Sequence, residues 1–599
     1  MQVSETKFAG ASRNSNNLES SPSEGDSSFN NSLSKNYKWI ALSNTTLGML
    51  MATINSSSIL IALPAIFRGI SLNPLNPSNF QYLLWILMGY LLVSAVMVVT
   101  LGRLGDMFGR VKIYNAGFLV FTVASIVLSL TFGHGQTAAL EIVIMRMVQA
   151  IGGSMIMANS VAILTDAFPV NQRGMAMGIN IVAGVAGQFL GLILGGVLAS
   201  INWRWVFLVN VPVGILGTVW AYLKLKDQGV VKKSKIDWIG NITFAIGLSL
   251  ILVGVTYALQ PYKKSPMGWG SPVVLAEIIT GILVLILFVF LERRHKDPMF
   301  RISLFKIRPF RYGNLAGLMS SVAQGGLMFM LVIWLQGIWL PIHGYSFAET
   351  PLWAGIFLLP LTAGFLVAGP LSGKLSDALG ARPFATFGMF FGGVTFLLML
   401  LLGADFNYLA FAAILFCNGL AFGFFSAPNT VTIMNAVAPQ DRGSASGMRV
   451  TFRFIGTPMS IGVFFTLMVL GLNSTMPSVL QKGLISNYIP LSIAHHISSQ
   501  PPIGYLFAAF LGYNPMKTVL GKTLNNIPAK NSALLTSKSY FPKLISSPFM
   551  HGLDVVLIFA AVICFIAALF SFMQGKANPL QDEAIEKIDE SASLIKNVK

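Results

Sequence analysis

The stretch GRLGDMFGR (residues 102–110) returns later in the chain as GKLSDALGA (residues 373–381). A second pair, QRGMAMG (172–178) and DRGSASG (441–447), repeats at nearly the same spacing. All four stretches are short polar connections that follow long apolar runs. The sequence therefore predicts two halves with the same order of elements, and this repeat decides the fold.

The long apolar runs predict that the chain crosses a membrane many times. Of its 599 residues, 54% are hydrophobic and only 10% are charged. A helix of about 20 apolar residues crosses the roughly 30 Å hydrocarbon core of a bilayer, and lipid offers unpaired backbone groups no partners. We therefore predict an all-α polytopic membrane protein with about fourteen spans. Their approximate bounds are 38–66, 80–101, 112–132, 138–166, 173–200, 204–223, 237–259, 272–291, 313–340, 351–373, 383–403, 406–436, 444–471 and 548–574.

The two motif pairs relate spans 1 to 6 to spans 9 to 14 and leave spans 7 and 8 as an insertion. Because an even number of spans separates the halves, both halves have the same orientation. Parallel six-helix halves commonly enclose a central site and open it alternately to either side, so the physical argument favours a transporter. The predicted organisation is a disordered cytoplasmic tail (1–36), a first half (37–223), two inserted spans (237–291), a second half (313–574) with a long external loop (472–547), and a cytoplasmic tail (575–599).

Lysine and arginine are concentrated in the connections after spans 2, 6 and 8. Since basic residues are retained on the cytoplasmic side, both termini of this multi-pass protein are predicted to be cytoplasmic, with the plasma membrane as its location. The net charge of +18 then reflects attraction to anionic lipid headgroups of the bilayer, and no nucleic acid is expected as a partner. Cys417 and Cys564 fall in predicted spans and are interpreted as small apolar residues.

Four motifs follow one another along the first half. They are GRLGDMFGRVKIY (102–114), RMVQAIGGSMIMANS (146–160), GINIVAGVAGQFLGLILGG (178–196) and WRWVFLVNVPVG (203–214). In this order they resemble the signatures of the major facilitator superfamily and, within it, of the fourteen-span drug:proton antiporter family of multidrug exporters.

The resemblance implies the major facilitator fold and a secondary transporter that exports amphipathic small molecules or drugs by alternating access, driven by proton influx. Uptake of a nutrient or metabolite by the same superfamily is the alternative. A monomer is expected, whose partners are a small-molecule substrate, protons and the bilayer. No enzyme activity, cofactor or metal is expected, because no P-loop occurs and the adjacent His495 and His496 lack Cys or carboxylate neighbours in the sequence.

The glycine-rich turn of the first motif contains a carboxylate and a guanidinium four residues apart. Asp106 can pair with Arg110 or cap the N-terminus of a neighbouring helix, and its counterpart in the repeat is Asp377. The resemblance implies a gate latch on the cytoplasmic side, whereas the alternative is that the basic residues of this turn only enforce topology. Together with Asp166, these carboxylates are also candidates for proton coupling.

Arg146 lies about nine residues into span 4. A guanidinium at the centre of a span costs roughly 2.5 to 3.5 kcal/mol on insertion scales, so the side chain is expected to face the bundle interior and find polar partners. If the span begins nearer Glu141, the side chain could instead reach the outer interface. The resemblance implies a role in substrate or proton coupling, and Gln149 of the same motif is a further cavity candidate.

A polar cluster, Asn55 to Ser58, interrupts the first span. In the family that the sequence resembles, an Asp typically stands at the position of Asn55. An Asp can bind and release a proton, whereas an Asn cannot titrate. Asn55, Ser56, Ser57 and Ser58 are predicted either to line a cavity or to hydrogen-bond one helix to another.

The third motif predicts a helix that another helix approaches closely. Three of its glycines recur at every fourth residue and share one face, and such faces permit tight helix packing. The family pattern has a Pro where this chain has Leu192, so a Pro-dependent bend is not expected, and generic helix packing is the alternative to an antiporter role. The packing candidates are Gly178, Gly187, Gly191, Gly195 and Gly196.

Span 13 carries Arg449 and Arg453, one helical turn apart on the same face. No Asp or Glu lies near the middle of spans 1, 4, 5, 10 or 13. We therefore hypothesise a central cavity that is neutral to positive and favours neutral or anionic amphipathic compounds over lipophilic cations.

The long connection over 472–550 contains lysines but no Asp or Glu. Its apolar piece IGYLFAAFLG (503–512) is expected to lie against the membrane or to form a hairpin.

Overall fold

The computed structural model describes residues 36–575 apart from gaps at 74–75, 77–78, 170–171, 228–236, 264, 266, 296–297, 299 and 439–441. The two predicted tails therefore lie outside the described residues, except for their boundary positions. Within the described part, fourteen helices are long and apolar enough to cross a membrane, which confirms the predicted number.

The fourteen long helices follow the predicted spans closely, with most ends extended by a few residues. They are α1 (Tyr37–Gly69), α2 (Phe80–Phe108), α3 (Arg110–Ser129), α4 (Gly135–Ala167), α5 (Arg173–Ile201), α6 (Asn210–Lys224), α7 (Trp238–Ala258), α8 (Pro272–Arg294), α9 (Arg308–Ile333), α10 (Leu359–Leu379), α11 (Ala381–Met399), α12 (Tyr408–Asn435), α13 (Arg442–Ile485) and α14 (Tyr540–Met573). Short helices precede α6 (Trp205–Leu208) and α10 (Thr350–Phe357), and α9 continues through a π-helical turn (Trp334–Trp339) into Leu340–Ile342.

The repeated turn has the same backbone form in both halves. Gly109 separates α2 from α3 with φ of 108°, and Gly380 separates α10 from α11 with φ of 85°. Glycine adopts this region without the steric cost that a Cβ imposes. Both copies of the first motif thus have a glycine with positive φ at their second-to-last position.

Helix packing is also repeated. A Cβ at Gly187 of α5 would lie 2.9 Å from the Leu50 carbonyl oxygen of α1, and a Cβ at Gly456 of α13 would lie 3.1 Å from the Leu318 carbonyl oxygen of α9. In the register of the second motif pair, Gly187 and Gly456 are counterparts. The α1–α5 contact of the first half is therefore rebuilt as the α9–α13 contact of the second half.

The inserted helices α7 and α8 pack on each other and on the seam between the halves. Gln260, just after α7, donates to Gln81 of α2 at 3.0 Å, and a Cβ at Gly462 of α13 would collide with Val255 of α7. Of the fourteen long helices, α8 is the least buried. The insertion therefore extends the bundle sideways beside α2 and α13 without entering either half.

The long connection between α13 and α14 is mostly helical. Because α13 continues to Ile485 and α14 begins at Tyr540, the connection is shorter than the predicted 472–547. Its helix Pro502–Phe510, the loop helix, is buried at all nine residues. The expectation that this apolar piece lies against the membrane or forms a hairpin is wrong, because its side chains pack inside the protein.

Candidate functional site

Arg110 holds the repeated turn of the first half to the end of α4. Its guanidinium pairs with Asp106 at 2.7 Å and donates to both carboxylate oxygens of Asp166, at 2.6 and 2.7 Å. Of the two roles predicted for Asp106, the structure shows pairing with Arg110. A different carboxylate caps α3, because Asp227 accepts from the backbone N–H of Val111 at 2.8 Å.

The second half does not repeat this ion-pair cluster. The positions of Arg110 and Asp166 are taken there by Ala381 and Asn435. Asp377 lies on α10, but its side chain is outside the described residues. The latch candidates Asp106, Arg110 and Asp166 thus form one connected site in the first half.

Arg146 is 2% exposed and faces the interior of the first half. It donates to Gln149 at 2.6 Å and to the Ile86 carbonyl at 3.5 Å, and its guanidinium lies 4.3 Å from the centre of the Tyr90 ring. These contacts favour the predicted interior placement over a side chain that reaches the interface.

Gln149 connects Arg146 to three further helices. Its oxygen also accepts from Asn55 of α1 at 3.2 Å, and its nitrogen donates to Ser125 of α3 at 2.8 Å. Asn210 of α6 donates to Asn55 at 3.3 Å. We call these five residues, Arg146, Gln149, Asn55, Ser125 and Asn210, the Arg146 network. No carboxylate of a described residue bonds to it. All five are buried.

The polar cluster of α1 is divided between packing and an open surface. Asn55, Ser57 and Ser58 are buried. Asn55 makes helix-to-helix hydrogen bonds to Gln149 and Asn210, which favours the packing alternative for this residue. Ser56 is exposed and donates to the Ala52 carbonyl at 3.1 Å. Of the four, it has the side chain that is open to contact with a substrate in this structure.

The glycine face of α5 packs as predicted at three positions. A Cβ at Gly191 would lie 2.6 Å from the Ile54 carbonyl oxygen, and a Cβ at Gly195 would lie 2.5 Å from Cα of Ser58. A Cβ at Gly196 would instead lie 2.5 Å from Cα of Leu352, so Gly196 packs against the second half. Including Gly178 in the packing motif was wrong, because nothing lies within 4 Å of a Cβ built there.

Arg449 and Arg453 differ in their surroundings although they share a face of α13. Arg449 donates to Thr430 of α12 at 3.4 Å, and its Nε is buried without a described hydrogen-bond partner. Arg453 is exposed, and its side chain makes no hydrogen bond or ion pair with a described residue. Counted from Ser444 at 1.5 Å per residue, Arg453 lies about 14 Å along its span.

The two halves are hydrogen-bonded to each other at one end of the bundle, which we call the Arg68 end. Arg68 of α1 donates to the carbonyl oxygens of Phe347 at 3.1 Å and Leu511 at 3.4 Å. Gln336, in the π-helical turn, donates to the Ile61 carbonyl at 3.1 Å. Among the described residues, no side-chain hydrogen bond joins the halves at the opposite end, which carries Asp106.

The loop helix fills the space between the halves at the Arg68 end. Its Phe507 meets Phe67 of α1 edge to face, with ring centres 5.5 Å apart, and its Phe510 meets Phe329 of α9 at 5.7 Å. The position of the loop helix between the halves was not predicted from the sequence. A run of nine apolar residues inside a polar loop was the available signal, but hydropathy does not distinguish burial in protein from burial in lipid.

The model of the family described as Major Facilitator Superfamily matches residues 45–461. The chain belongs to the Major Facilitator Superfamily. It is therefore a membrane transporter of the secondary type, and its family and relatives indicate a transporter rather than an enzyme.

Several relatives of this superfamily member have been named for what they transport. The riboflavin transporter RibZ of Clostridioides difficile (strain 630) is 28% identical over 430 residues, which are 71% of this chain and 87% of RibZ. The tetracenomycin C resistance and export protein of Streptomyces glaucescens is 25% identical over 547 residues, which are 90% of this chain and 92% of that protein. With fourteen spans and relatives named as exporters, the superfamily member fits the fourteen-span drug exporters that its motifs resemble.

Solved structures share the fold of this superfamily member. A bacterial homolog of the human lysosomal transporter Spinster, in an inward-facing and unoccupied conformation, superposes with a TM-score of 0.55 at 17% identity, covering 91% of this chain and all of that one. A peptide transporter POT in complex with sulfate gives a TM-score of 0.52 at 16% identity, covering 84% and 96%. At these identities the likeness establishes the fold alone.

Proposed function

We propose that this protein exports amphipathic small molecules across the plasma membrane by alternating access. The observation that supports this proposal most directly is the pair of six-helix halves with repeated packing, whose described residues hydrogen-bond to each other at the Arg68 end. Halves built in this way can rock about a central site and exchange the end at which they meet. Export is favoured over uptake by the relatives named for resistance and export.

The orientation of the bundle is part of the proposal. Basic residues cluster at the end that carries Asp106 and Arg110, so this end faces the cytoplasm and both termini are cytoplasmic. Cysteine labelling from either side tests it: single cysteines placed beside Asp106 and Asp377 should both react only from the cytoplasmic face. Labelling of the two turns from opposite faces would contradict parallel halves.

Proton influx is proposed as the driving force. The candidate carboxylates for it are Asp106, Asp166 and Asp377, since Asn55 cannot titrate. Asp106 and Asp166 share Arg110, so protonation of either one would weaken the tie between the α2–α3 turn and α4. A conformational change of this part of the first half could thereby be linked to proton binding.

The direction of transport decides between export and the second candidate, uptake, which the similarity to a riboflavin transporter supports. Cells that overexpress the protein and cells that lack it should be compared for susceptibility to a panel of amphipathic drugs and for accumulation of a fluorescent one. Export predicts lower accumulation and higher resistance on overexpression. Higher accumulation on overexpression would establish uptake instead.

A further inference from the structure

Arg453 presents an unpaired positive charge deep within a membrane span. The residue is exposed and lies well inside α13, and its guanidinium has no hydrogen-bond or ion-pair partner among the described residues. Arg449, one turn away, lies close enough to repel it electrostatically and has an unpartnered buried Nε. An ionisable side chain placed in this way inside a membrane protein indicates a functional site by default.

The face of α13 that carries both arginines points into the bundle. Further along the same face, Ser460 accepts from the backbone N–H of Gly326 in α9 at 2.7 Å, and Thr457 packs against Gly325. A different face of α13, which includes Gly462, is covered by α7. Arg453 therefore lies beside α9, on the interior side of the second half, and does not point to lipid.

The repeat shows that the fold does not require these arginines. In the register of the second motif pair, their counterparts in the first half are Asn180 and Gly184 on α5. Gly184 packs closely against Met49 of α1. The helix packing is the same in both halves, but the second half has two cationic side chains where the first half has an amide side chain and a glycine.

Among the described residues, no carboxylate forms an ion pair with Arg449 or Arg453. The described parts of α1, α5, α9, α12 and α13 contain no Asp or Glu. Arg146, a buried cation of the first half, already bonds to Gln149 in the Arg146 network. A planar guanidinium with free N–H groups binds carboxylate, sulfate or phosphate oxygens in a two-pronged manner.

We infer that Arg453, supported by Arg449, binds the anionic group of the transported molecule, so that the substrates are amphipathic anions carrying a carboxylate, sulfate or phosphate. This inference rests on the proposed function, because it assigns the substrate class of the same transporter. Arg449 supplies a second positive charge, and its hydrogen bond to Thr430 holds its side chain against α12. The substrate's apolar part would lie against the apolar side chains of the interior.

The test uses the full-length protein in phosphatidylcholine vesicles and two probes that differ only in charge. The probes are N-dansyl-phenylalanine and its methyl ester, whose binding is followed by dansyl fluorescence. Wild-type protein should bind the acid more tightly than the ester. R453Q should weaken binding of the acid by about 10-fold to 100-fold, the range for loss of a hydrogen bond to a charged group, and leave the ester unchanged. R453K should retain part of the preference.

A matched control is R311Q, which removes an exposed arginine of α9 and should leave both affinities unchanged. Equal loss of acid and ester binding in R453Q, or no loss of either, would overturn the inference. So would a wild type that prefers the ester or binds neither probe.

An anionic lipid headgroup has the same chemistry as the substrate group. If replacing part of the phosphatidylcholine by phosphatidylglycerol abolishes the preference for the acid, the arginines bind a headgroup and the substrate assignment is overturned. The direction of transport is measured separately. Uptake of the acid that is lost in R453Q would support the arginine site and refute export. Export of the acid that R453Q leaves unchanged would support the proposed function and refute the arginine site.

Discussion

Arg110 and Asp166 form an ion pair across two helices, in which one guanidinium nitrogen, Nη1, lies within 2.7 Å of both carboxylate oxygens. About a quarter of each side chain is exposed. The pair joins the start of α3 to the end of α4, and Asp106 binds the same guanidinium from the preceding helix. Because the second half has Ala and Asn at the corresponding positions, this cluster is not a requirement of the repeat.

Removing the guanidinium should therefore affect transport more than folding. Exposed ion pairs contribute about 0.2 to 1 kcal/mol each, so R110A should leave expression and thermal stability in detergent nearly unchanged while lowering the transport rate several-fold. K112A removes a positive charge from the same turn without an ion pair and serves as the control. An equal effect of K112A would show that the charge acts only through topology.

The pairing itself can be tested by combining substitutions. If Arg110 and Asp166 act together, R110A combined with D166N should be no worse than the more severe single variant. The measurement is the initial rate of efflux of a fluorescent substrate from preloaded cells. Additive losses would contradict a shared role.

The glycine face of α5 gives a sharp contrast within one helix. G195A places a methyl group 2.5 Å from the Ser58 backbone, and overpacking of this kind costs about 1 to 3 kcal/mol, so the variant should lower the melting temperature in detergent. G178A meets open space and gains helix propensity worth up to about 1 kcal/mol, so its melting temperature should stay the same or rise. Equal melting temperatures for the two variants would contradict the close approach of α1 and α5.

The two halves contain the same amide-to-hydroxyl hydrogen bond with different additional partners. Gln149 donates to Ser125 and Asn418 donates to Thr395, both at 2.8 Å, but only Gln149 also binds an arginine. Q149L should cost more stability than N418L, because it leaves the Arg146 guanidinium and Asn55 without their acceptor, a loss of about 1 to 3 kcal/mol for each buried group. Thermal unfolding of the two variants side by side provides the measurement.

Asn55 is the position at which an acid can be restored. N55D introduces a titratable carboxyl into the Arg146 network beside Gln149, so substrate-driven proton flux into inverted vesicles should increase relative to wild type. N55S keeps a small polar group without a titratable proton and should not increase the flux. Wild-type flux as strong as that of N55D would show that Asn55 does not limit proton coupling.

Much of the fold could be predicted from local patterns. Span number follows from hydropathy, and the equivalence of Gly109 and Gly380 follows from the repeated motif. The ion pair of Asp106 with Arg110 was predictable because the two residues flank one short glycine turn, although Gly109 places them on different helices. The partner Asp166 was recognised as a candidate, but its contact with Arg110 depends on how α4 packs, which no local pattern encodes.

The polar interior was harder to predict for a physical reason. Asn55 and Ser56 are adjacent, so their side chains point in directions about 100° apart around α1, and one is buried while the other is exposed. Which direction faces a partner helix depends on the glycines of α5, on Gln149 of α4 and on Asn210 of α6. The sequence could therefore indicate that both residues mattered but not which one packs.

The loop helix determines how the Arg68 end responds to solution conditions. Its contacts there are mainly aromatic rings and backbone carbonyls, with Phe67, Phe507 and Arg68 as examples, and none is an ion pair between described residues. Added salt screens exposed charges and so has little to weaken at this end, whereas apolar contacts lose strength on cooling. The contacts of the loop helix at the Arg68 end should therefore tolerate high ionic strength and weaken at low temperature.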